Sequence, residues 1–328
     1  MVILVTGGAG YIGSICVEEL LKQGYEVVVI DNLHEGHRKA VLPGAAFYRG
    51  DCGDRRILRQ IFKSHSIDTV MHFAAEATVG ISMTDPRPFF ENNVAQSLML
   101  LDVMLEFECK KMIFSSTAAV FGEPEYVPID EKHRLEPINA YGESKLMYER
   151  ILNWYHAAYD LRYNSFRYFN AAGASEHLGE AHRKETHLIP IILFTAMGKR
   201  KKINIFGSDY NTKDGTCIRD YLHVIDIAQA HILGLANLAD RPKARYNLGN
   251  GIGFTNLEVL RTAERVTGRT IPFSLAERRP GDPDCLVASS NLAKDQLGWS
   301  PRFPRLEHII QTAWEWHSSH PGGYGSSG

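Results

Sequence analysis

The first 170 residues alternate short apolar runs with helical stretches, which predicts an α/β fold. The class is a doubly wound parallel sheet joined to a smaller mixed α/β domain. Three observations carry this reading. The strand-like runs are continuously apolar, as strands covered on both faces are. A glycine-rich turn, TGGAG, separates the first run from a helical pattern. After about residue 170 the alternation stops, and loops rich in Gly and His precede short mixed elements.

The elements follow in order. Residues 2–5 form a β-branched run, and residues 12–22 have helical periodicity. Strands are expected at 26–30, 45–48 and 69–72, and one long amphipathic helix at 89–107. A strand at 111–114, a helix at 141–159 and a strand at 161–166 complete the sheet domain. Residues 1–170 are therefore read as one domain, with part of 220–250 returning to it. Residues 171–328 are read as the second domain, packed on the C-terminal edge of the sheet where such folds bind ligands. The Gly- and Ser-rich tail, 321–328, is expected to be disordered.

Composition narrows the function. The 328 residues are 44% hydrophobic, enough for a large core, and 36 basic side chains against 38 acidic ones give a net charge of -2. No basic surplus exists to neutralise a nucleic-acid backbone. The five cysteines, Cys16, Cys52, Cys109, Cys217 and Cys285, are isolated and never spaced as CxxC. That pattern suits a reducing cytoplasm rather than a disulfide framework or a thiolate zinc site. No charged segment precedes the first strand and no apolar run approaches bilayer length, so neither a secretory signal nor a membrane partner is expected.

The turn Gly7-x-x-Gly10-x-x-Gly13, containing Tyr11 and Ile12, lies between a strand and a helix. Glycine permits the tight turn and a close backbone approach to a pyrophosphate, and the helix N-terminus offers free N–H groups to the anion. A glycine triplet alone marks only a tight turn. Here Asp31 also ends the next strand, eighteen positions after Gly13, where a carboxylate accepts from the adenosine ribose hydroxyls. It would repel the extra phosphate of NADP, so the expected cofactor is NAD and the domain is a Rossmann domain. Asp51, after the third strand, is either an acceptor for the adenine amino group or a solvated loop acid.

Tyr141 and Lys145 sit four apart at the start of a helix and so share a face. An ammonium near a phenol favours the phenolate and lowers its pKa, and an oxidised nicotinamide pushes the same way. A tyrosine so tuned serves as general base towards a sugar hydroxyl. With 14 tyrosines in the chain the spacing alone is weak. It gains weight from Ser115, Ser116 and Thr117 at a strand end, where a hydroxyl could bridge substrate and Tyr141. The alternative for Thr117 is a helix N-cap.

Through these residues the chain resembles the extended short-chain dehydrogenase/reductase family, and within it the branch of UDP-sugar 4-epimerases. The matching segments run along essentially the whole chain: VTGGAGYIGS, DN after the second strand, IDTVMHFAA, NNV, FSSTAAVFG, AYGESK, RYFNAAGA, HLIP, IFGSDYNTKDGTCIRDYLHV, YNLGNG and RRPGD. The glycine turn marks only the superfamily, whereas the DYNTKDGTCIRDYLHV stretch is long and lies outside the nucleotide site. The resemblance implies NAD-dependent interconversion of UDP-glucose and UDP-galactose, through transient oxidation at sugar C4 and rotation of the 4-keto sugar. It implies Tyr141 as base, Thr117 as its assistant and Lys145 as a further holder of the nicotinamide ribose. It places Asp31, Asn32, Asp51, Cys52, Phe73, Ala74, Ala75, Asn93, Ser115 and Tyr168 around NAD. It places Asn170, His187, Leu188, Phe206, Arg219, Arg279 and Asp282 around the UDP-sugar. The two arginines suit a diphosphate as planar donors, and Asp282 suits the uridine ribose.

Departures from the family pattern bear on specificity. Ala77 stands where several members carry a lysine, and Thr186-His187 stands where an Asn pair is common. Leu286, four residues after Asp282, occupies the position that sets sugar-pocket size and is smaller than the tyrosine of some members. UDP-N-acetylglucosamine, UDP-xylose/arabinose and UDP-glucuronate therefore stay open as substrates. Ala118-Ala119 after Thr117 supply no acid pair for 4,6-dehydration and no glutamate for decarboxylation. A non-catalytic NAD-binding regulator would not need the Thr117, Tyr141, Lys145 set, and a dehydrogenase would release NADH. His177, His182 and His187 near Glu176, Glu180 and Glu185 lack helical metal-ligand spacing, so no metal is expected and a chelator should leave activity unchanged. The family pattern implies a homodimer built on the helices at 89–107 and 141–159.

Overall fold

Ile3 and Val5 turn to one face of the first strand and Leu4 to the other, and all three are fully buried. Two-sided burial explains the continuously apolar reading and requires helices on both faces. The structure, a computed structural model, describes residues 1–279 and 282–325.

The first half runs β1 Val2–Thr6, α1 Tyr11–Lys22, β2 Glu26–Asp31, β3 Ala45–Arg49, α2 Arg55–Ser64 and β4 Ile67–His72. Short α3 Val79–Ser82 and α4 Arg87–Phe90 follow, then a π-helical segment Glu91–Gln96 and α5 Ser97–Glu106. β5 Lys111–Thr117, α6 Ala140–Tyr159 and β6 Arg162–Tyr168 complete it. The single helix expected at 89–107 is thus interrupted. In the π turn Asn93 is buried, donating from Nδ2 to Ser144 Oγ at 2.9 Å and to Glu76 O at 3.0 Å. A wider turn lets that side chain reach inward, as π segments do near functional sites.

The second half contains β7 Asn170–Ala172, α7 Leu188–Ala196, β8 Ile203–Phe206, β9 Ile218–His223, α8 Val224–Asn237 and β10 Lys243–Leu248. β11 Gly253–Thr255, α9 Asn256–Thr267, β12 Phe273–Ala276, β13 Cys285–Leu286, α10 Asn291–Leu297 and α11 Leu306–Ser319 end the chain.

Seven strands form one parallel sheet in the order β10-β6-β5-β4-β1-β2-β3. β2 and β4 flank β1, so the chain reverses direction across the sheet there, and the crevice outside those strand ends is where such sheets bind ligands. α1 and α8 cover one face, packing Ile15, Leu20, Ile227 and Leu235 against Ile3 and Val29. α2, α5 and α6 cover the other, with Ile61, Leu100 and Leu152 against Leu4 and Val70. β10, from the second half, extends the sheet edge by pairing with β6 from Lys243↔Tyr163 to Leu248↔Tyr168.

A smaller mixed sheet places β11 antiparallel, and β7 and β13 parallel, to β9, while β12 pairs with β8. Its core joins Ile189 and Leu193 of α7 to Leu260 of α9 and Ile310 of α11. The tail expected to be disordered is described as far as Gly325 and is packed; residues 326–328 lie outside the described residues. Tyr324 OH donates to Gly179 O and accepts from Gly179 N, both at 3.1 Å, and its ring lies 5.3 Å from that of Trp316. An aromatic anchor outweighs the mobility that the flanking glycines suggest. Among the described residues no helix is long and apolar enough to cross a membrane.

Candidate active site

Gly7 has φ +70°, and a Cβ there would sit 2.6 Å from Ala74 N. A Cβ on Gly13 would sit 2.2 Å from Gly7 O. Only glycine lets α1 start this close to the end of β1. Gly10 caps α1 without a side chain, and the first turn carries no acidic residue, so its N–H groups face an anion unopposed.

Asp31 ends β2 with both oxygens held: Oδ2 accepts from Ala9 N at 3.0 Å and Oδ1 from Leu33 N at 2.8 Å. Burial raises its pKa above the usual carboxylate value, while those two donors pull it back. Asn32 donates to Asp51 Oδ1 at 2.6 Å, tying the ends of β2 and β3 together. Gly7, Gly10, Asp31, Asn32, Asp51, Cys52, Phe73, Ala74 and Ala75 line one crevice. His34, Glu35, Glu76 and Gln96 line it as well and were not read from the sequence. All four come from loops or from the π segment, which carry no periodic signal.

Thr117 ends β5, and its Oγ1 accepts from Ala119 N at 3.1 Å, capping a short 3-10 turn. The cap role and the site role coexist, because the same hydroxyl lies near enough to Tyr141 to lower its phenol pKa. α6 starts beside it, its cap Asn139 accepting from Gly142 N at 2.8 Å, so Tyr141 falls in the first turn. Lys145, one turn on, donates to Ser115 O at 2.9 Å and lies 4.9 Å from the Phe114 ring.

Burial raises the Tyr141 phenol above its ordinary 10, and the Thr117 hydroxyl is what opposes it. Burial likewise draws the Lys145 ammonium down, to about 7. Removing two groups from water penalises both of their charged forms. Tyr168 and Ser115 hydroxyls pair at 2.5 Å, next to this set. Asn93 lies behind the crevice with Oδ1 accepting from Glu76 N at 2.8 Å, so its polar atoms go to protein partners.

A network under the site escaped the sequence reading. Glu149, one turn beyond Lys145 on α6, accepts from Ser116 Oγ at 2.6 Å and from Arg167 Nε at 2.9 Å. Arg245 of β10 joins it at 3.1 Å. Glu149 and Arg167 side chains are each 1% exposed, and against the burial that raises it, Arg167 holds the carboxyl low. The i, i+4 step from Lys145 was the available signal.

The residues assigned to the sugar nucleotide gather on the smaller sheet and its edges. Arg219 of β9 stands opposite Leu286 of β13, and it donates to Asp282 Oδ1 and to Pro283 O. Arg279 stacks 4.0 Å over the Phe206 ring. Leu286 packs against the cluster of Ala118, Val120 and Leu146, which begins one residue after Thr117. Asn170 opens β7, and His187 caps α7 just before Leu188.

Residues 3–249 match the NAD dependent epimerase/dehydratase family. The chain belongs to that family. A UDP-glucose 4-epimerase of Lacticaseibacillus casei is 51% identical over 328 residues, 99% of this chain and 99% of its own length. A crystal structure of a UDP-glucose 4-epimerase, 51% identical, superposes with a TM-score of 0.97 and covers 99% of this chain and 100% of its own. The UDP-glucose 4-epimerase from Bifidobacterium longum in complex with NAD+ and UDP gives a TM-score of 0.94 at 36% identity, covering 98% and 100%. NAD fits the crevice described, in which a close glycine turn opens onto the unopposed N-terminus of α1 and the Asp31 carboxylate lines the wall.

Proposed function

We propose that this chain interconverts UDP-glucose and UDP-galactose with NAD as a resident cofactor, a step of galactose metabolism. The observation that carries the reading is the convergence of Thr117, Tyr141 and Lys145 at the end of β5, one strand removed from β1, which leads into the glycine turn. When bound, NAD supplies reversible redox capacity at sugar C4. Tyr141 takes the proton of the 4-hydroxyl as C4 is oxidised, and Thr117 carries the hydrogen bond between substrate and phenol. Once the 4-keto sugar has turned about its diphosphate link, Tyr141 would return its proton to the 4-oxygen, while the hydride taken from C4 would come back to its opposite face from bound NAD. Ala118-Ala119 offer no acid to expel a C6 hydroxyl, so the sugar keeps it.

Gly7, Gly10, Tyr11, Ile12 and Gly13 hold the pyrophosphate and Asp31 and Asn32 the adenosine ribose, with Asp51 and Cys52 at the adenine. Phe73, Ala74, Ala75, Ser115, Lys145 and Tyr168 complete that pocket, and Asn93 braces it from behind. Arg219 and Arg279 take the diphosphate, Asp282 the uridine ribose, and Asn170, His187, Leu188, Phe206 and Leu286 frame the sugar nucleotide. Residues 1–170 with β10 serve as the NAD-binding domain and residues 171–328 otherwise as the UDP-sugar-binding domain. A homodimer is supported by Met147 and Trp154, apolar side chains exposed on α6, with Trp154 72% exposed. A cytoplasmic location is supported by five free cysteines.

Incubating the protein with UDP-galactose, resolving the sugar nucleotides and following the NADH absorbance band tests the reading. UDP-glucose should form with no net NADH; accumulating NADH would make the chain a dehydrogenase instead. Leu286 favours a second substrate, UDP-N-acetylglucosamine, because a leucine leaves more room than a tyrosine. A panel with N-acetyl, pentose and uronate sugars ranks these, and no product from the N-acetyl sugar under conditions where UDP-galactose reacts removes it.

A further inference from the structure

The segment 180–187 is not helical; it folds as an irregular loop leading into α7. The helical-face criterion applied to its sequence therefore does not bear on it. The loop gathers one donor atom each from Glu180, His182, Glu185 and His187, all within 4.8 Å of one another. Glu180 Oε1 lies 3.0 Å from His187 Nδ1 and 3.2 Å from His182 Nε2, and Glu185 Oε1 lies 2.8 Å from the same His187 nitrogen. Ligand atoms bound tetrahedrally about an ion at about 2.0–2.1 Å stand roughly 3.3 Å apart. The donors already sit close to the edges of such a shell.

Burial gives an independent indication. The Glu180 and Glu185 side chains are only 6% and 5% exposed. Glu185 Oε2 is buried and meets no donor among the described residues. Glu180 and the other Glu185 oxygen are met by His182, His187 and the Thr186 and His187 backbone N–H groups, so the unmet Glu185 oxygen is the opening the cluster leaves, and a metal ion would bind there by displacing the protons the two imidazoles hold.

We propose that Glu180, His182, Glu185 and His187 form a binding site for a divalent transition-metal ion, Zn2+ or one of similar softness. Two imidazoles and two carboxylates suit such an ion better than Mg2+ or Ca2+, which favour all-oxygen shells. The site has a clear mechanical context. The loop rests on the cofactor side of the sheet: His37 Nε2 meets Ala181 O at 2.6 Å, and Arg183 Nε donates to His34 O at 2.6 Å. Tyr11, in the first turn of α1, sets its ring edge-on to His182 with centroids 6.4 Å apart. A metal ion there fastens the loop between the first turn of α1 and the start of α7. It acts by holding that geometry and takes no part in the chemistry at C4.

The test uses the full-length protein with its bound NAD. After chelator treatment and transfer to metal-free buffer, the protein is titrated with ZnCl2 against a chromogenic chelator, and bound zinc is counted by elemental analysis. One Zn2+ per chain is expected, with a raised thermal midpoint. His182→Ala and Glu185→Gln should each weaken binding by about 100-fold or more, given that outer-shell changes alone cost about 10–100-fold. X-ray absorption of the unaltered zinc-loaded protein should show only nitrogen and oxygen neighbours with imidazole scattering. Three results would overturn the proposal: no zinc taken from the chelator, undiminished binding in both variants, or sulfur in the first shell. The absorption measurement decides the matter even if a variant does not fold.

Discussion

Burial and hydrogen bonding act against each other at Tyr141. Desolvation holds the phenol above 10, the Thr117 hydroxyl lowers it, and Lys145 is itself drawn down to about 7 by burial. A bound oxidised nicotinamide would supply a positive charge that favours the phenolate further. Tyr141→Phe removes the proton acceptor and little else, since the ring keeps its place against Phe89, 6.4 Å away. The variant should fold and retain NAD while epimerisation falls by roughly 10²- to 10⁴-fold. Turnover assays beside NAD content check this, and near-normal turnover would remove Tyr141 as the base.

Two joins between elements decide whether the site assembles. The first is the turn between β1 and α1. Gly13→Ala forces a methyl to within 2.2 Å of a backbone oxygen, and the turn can relieve that only by moving α1 off β1. NAD measured in the purified variant should fall to a small fraction of one per chain; full occupancy would mean the turn yields at little cost. The second join is Glu149, which links α6 to β5, β6 and β10 through Ser116, Arg167 and Arg245. Glu149→Ala leaves Arg167 charged and buried without its partner. Breaking such a pair costs about 3–5 kcal/mol, which a shift of the urea midpoint will show. A change under about 1 kcal/mol would mean that Arg167 finds another acceptor.

For the molecule as a whole, burial of histidine sets the response to acid. His72 and His223 are held down to about 3, and His231 and His317 to about 4, mainly because burial disfavours their charged form. Unfolded, each would titrate near 6.5. Between pH 6.5 and about 4 the unfolded chain thus binds protons that the folded chain refuses, and stability falls as pH falls through that window. Urea midpoints measured from pH 7 to 4.5 should decline steadily. His72→Asn should flatten the decline, because His72 lies between Thr6 Oγ1 at 2.6 Å and Ser97 Oγ at 2.8 Å. An unchanged midpoint across the range would mean that these imidazoles charge in place.

Much of the architecture was legible in the chain as written. The doubly wound sheet, the glycine turn, Asp31 at the end of β2 and the Tyr141–Lys145 step are all short-range patterns, set by strand and helix periodicity and by turn chemistry. Glu149 meeting Arg167 and Arg245 was not legible, since Arg245 comes from a strand 96 residues away that the topology lays beside β6. The pairing of Arg219 with Asp282, the interruption of the 89–107 helix, the packing of Tyr324 and the gathering of Glu180, His182, Glu185 and His187 were likewise decided only in three dimensions. The reason is physical: a residue's neighbours along the chain determine its backbone, while the cost of burying a polar group depends on which distant partner the fold delivers to it.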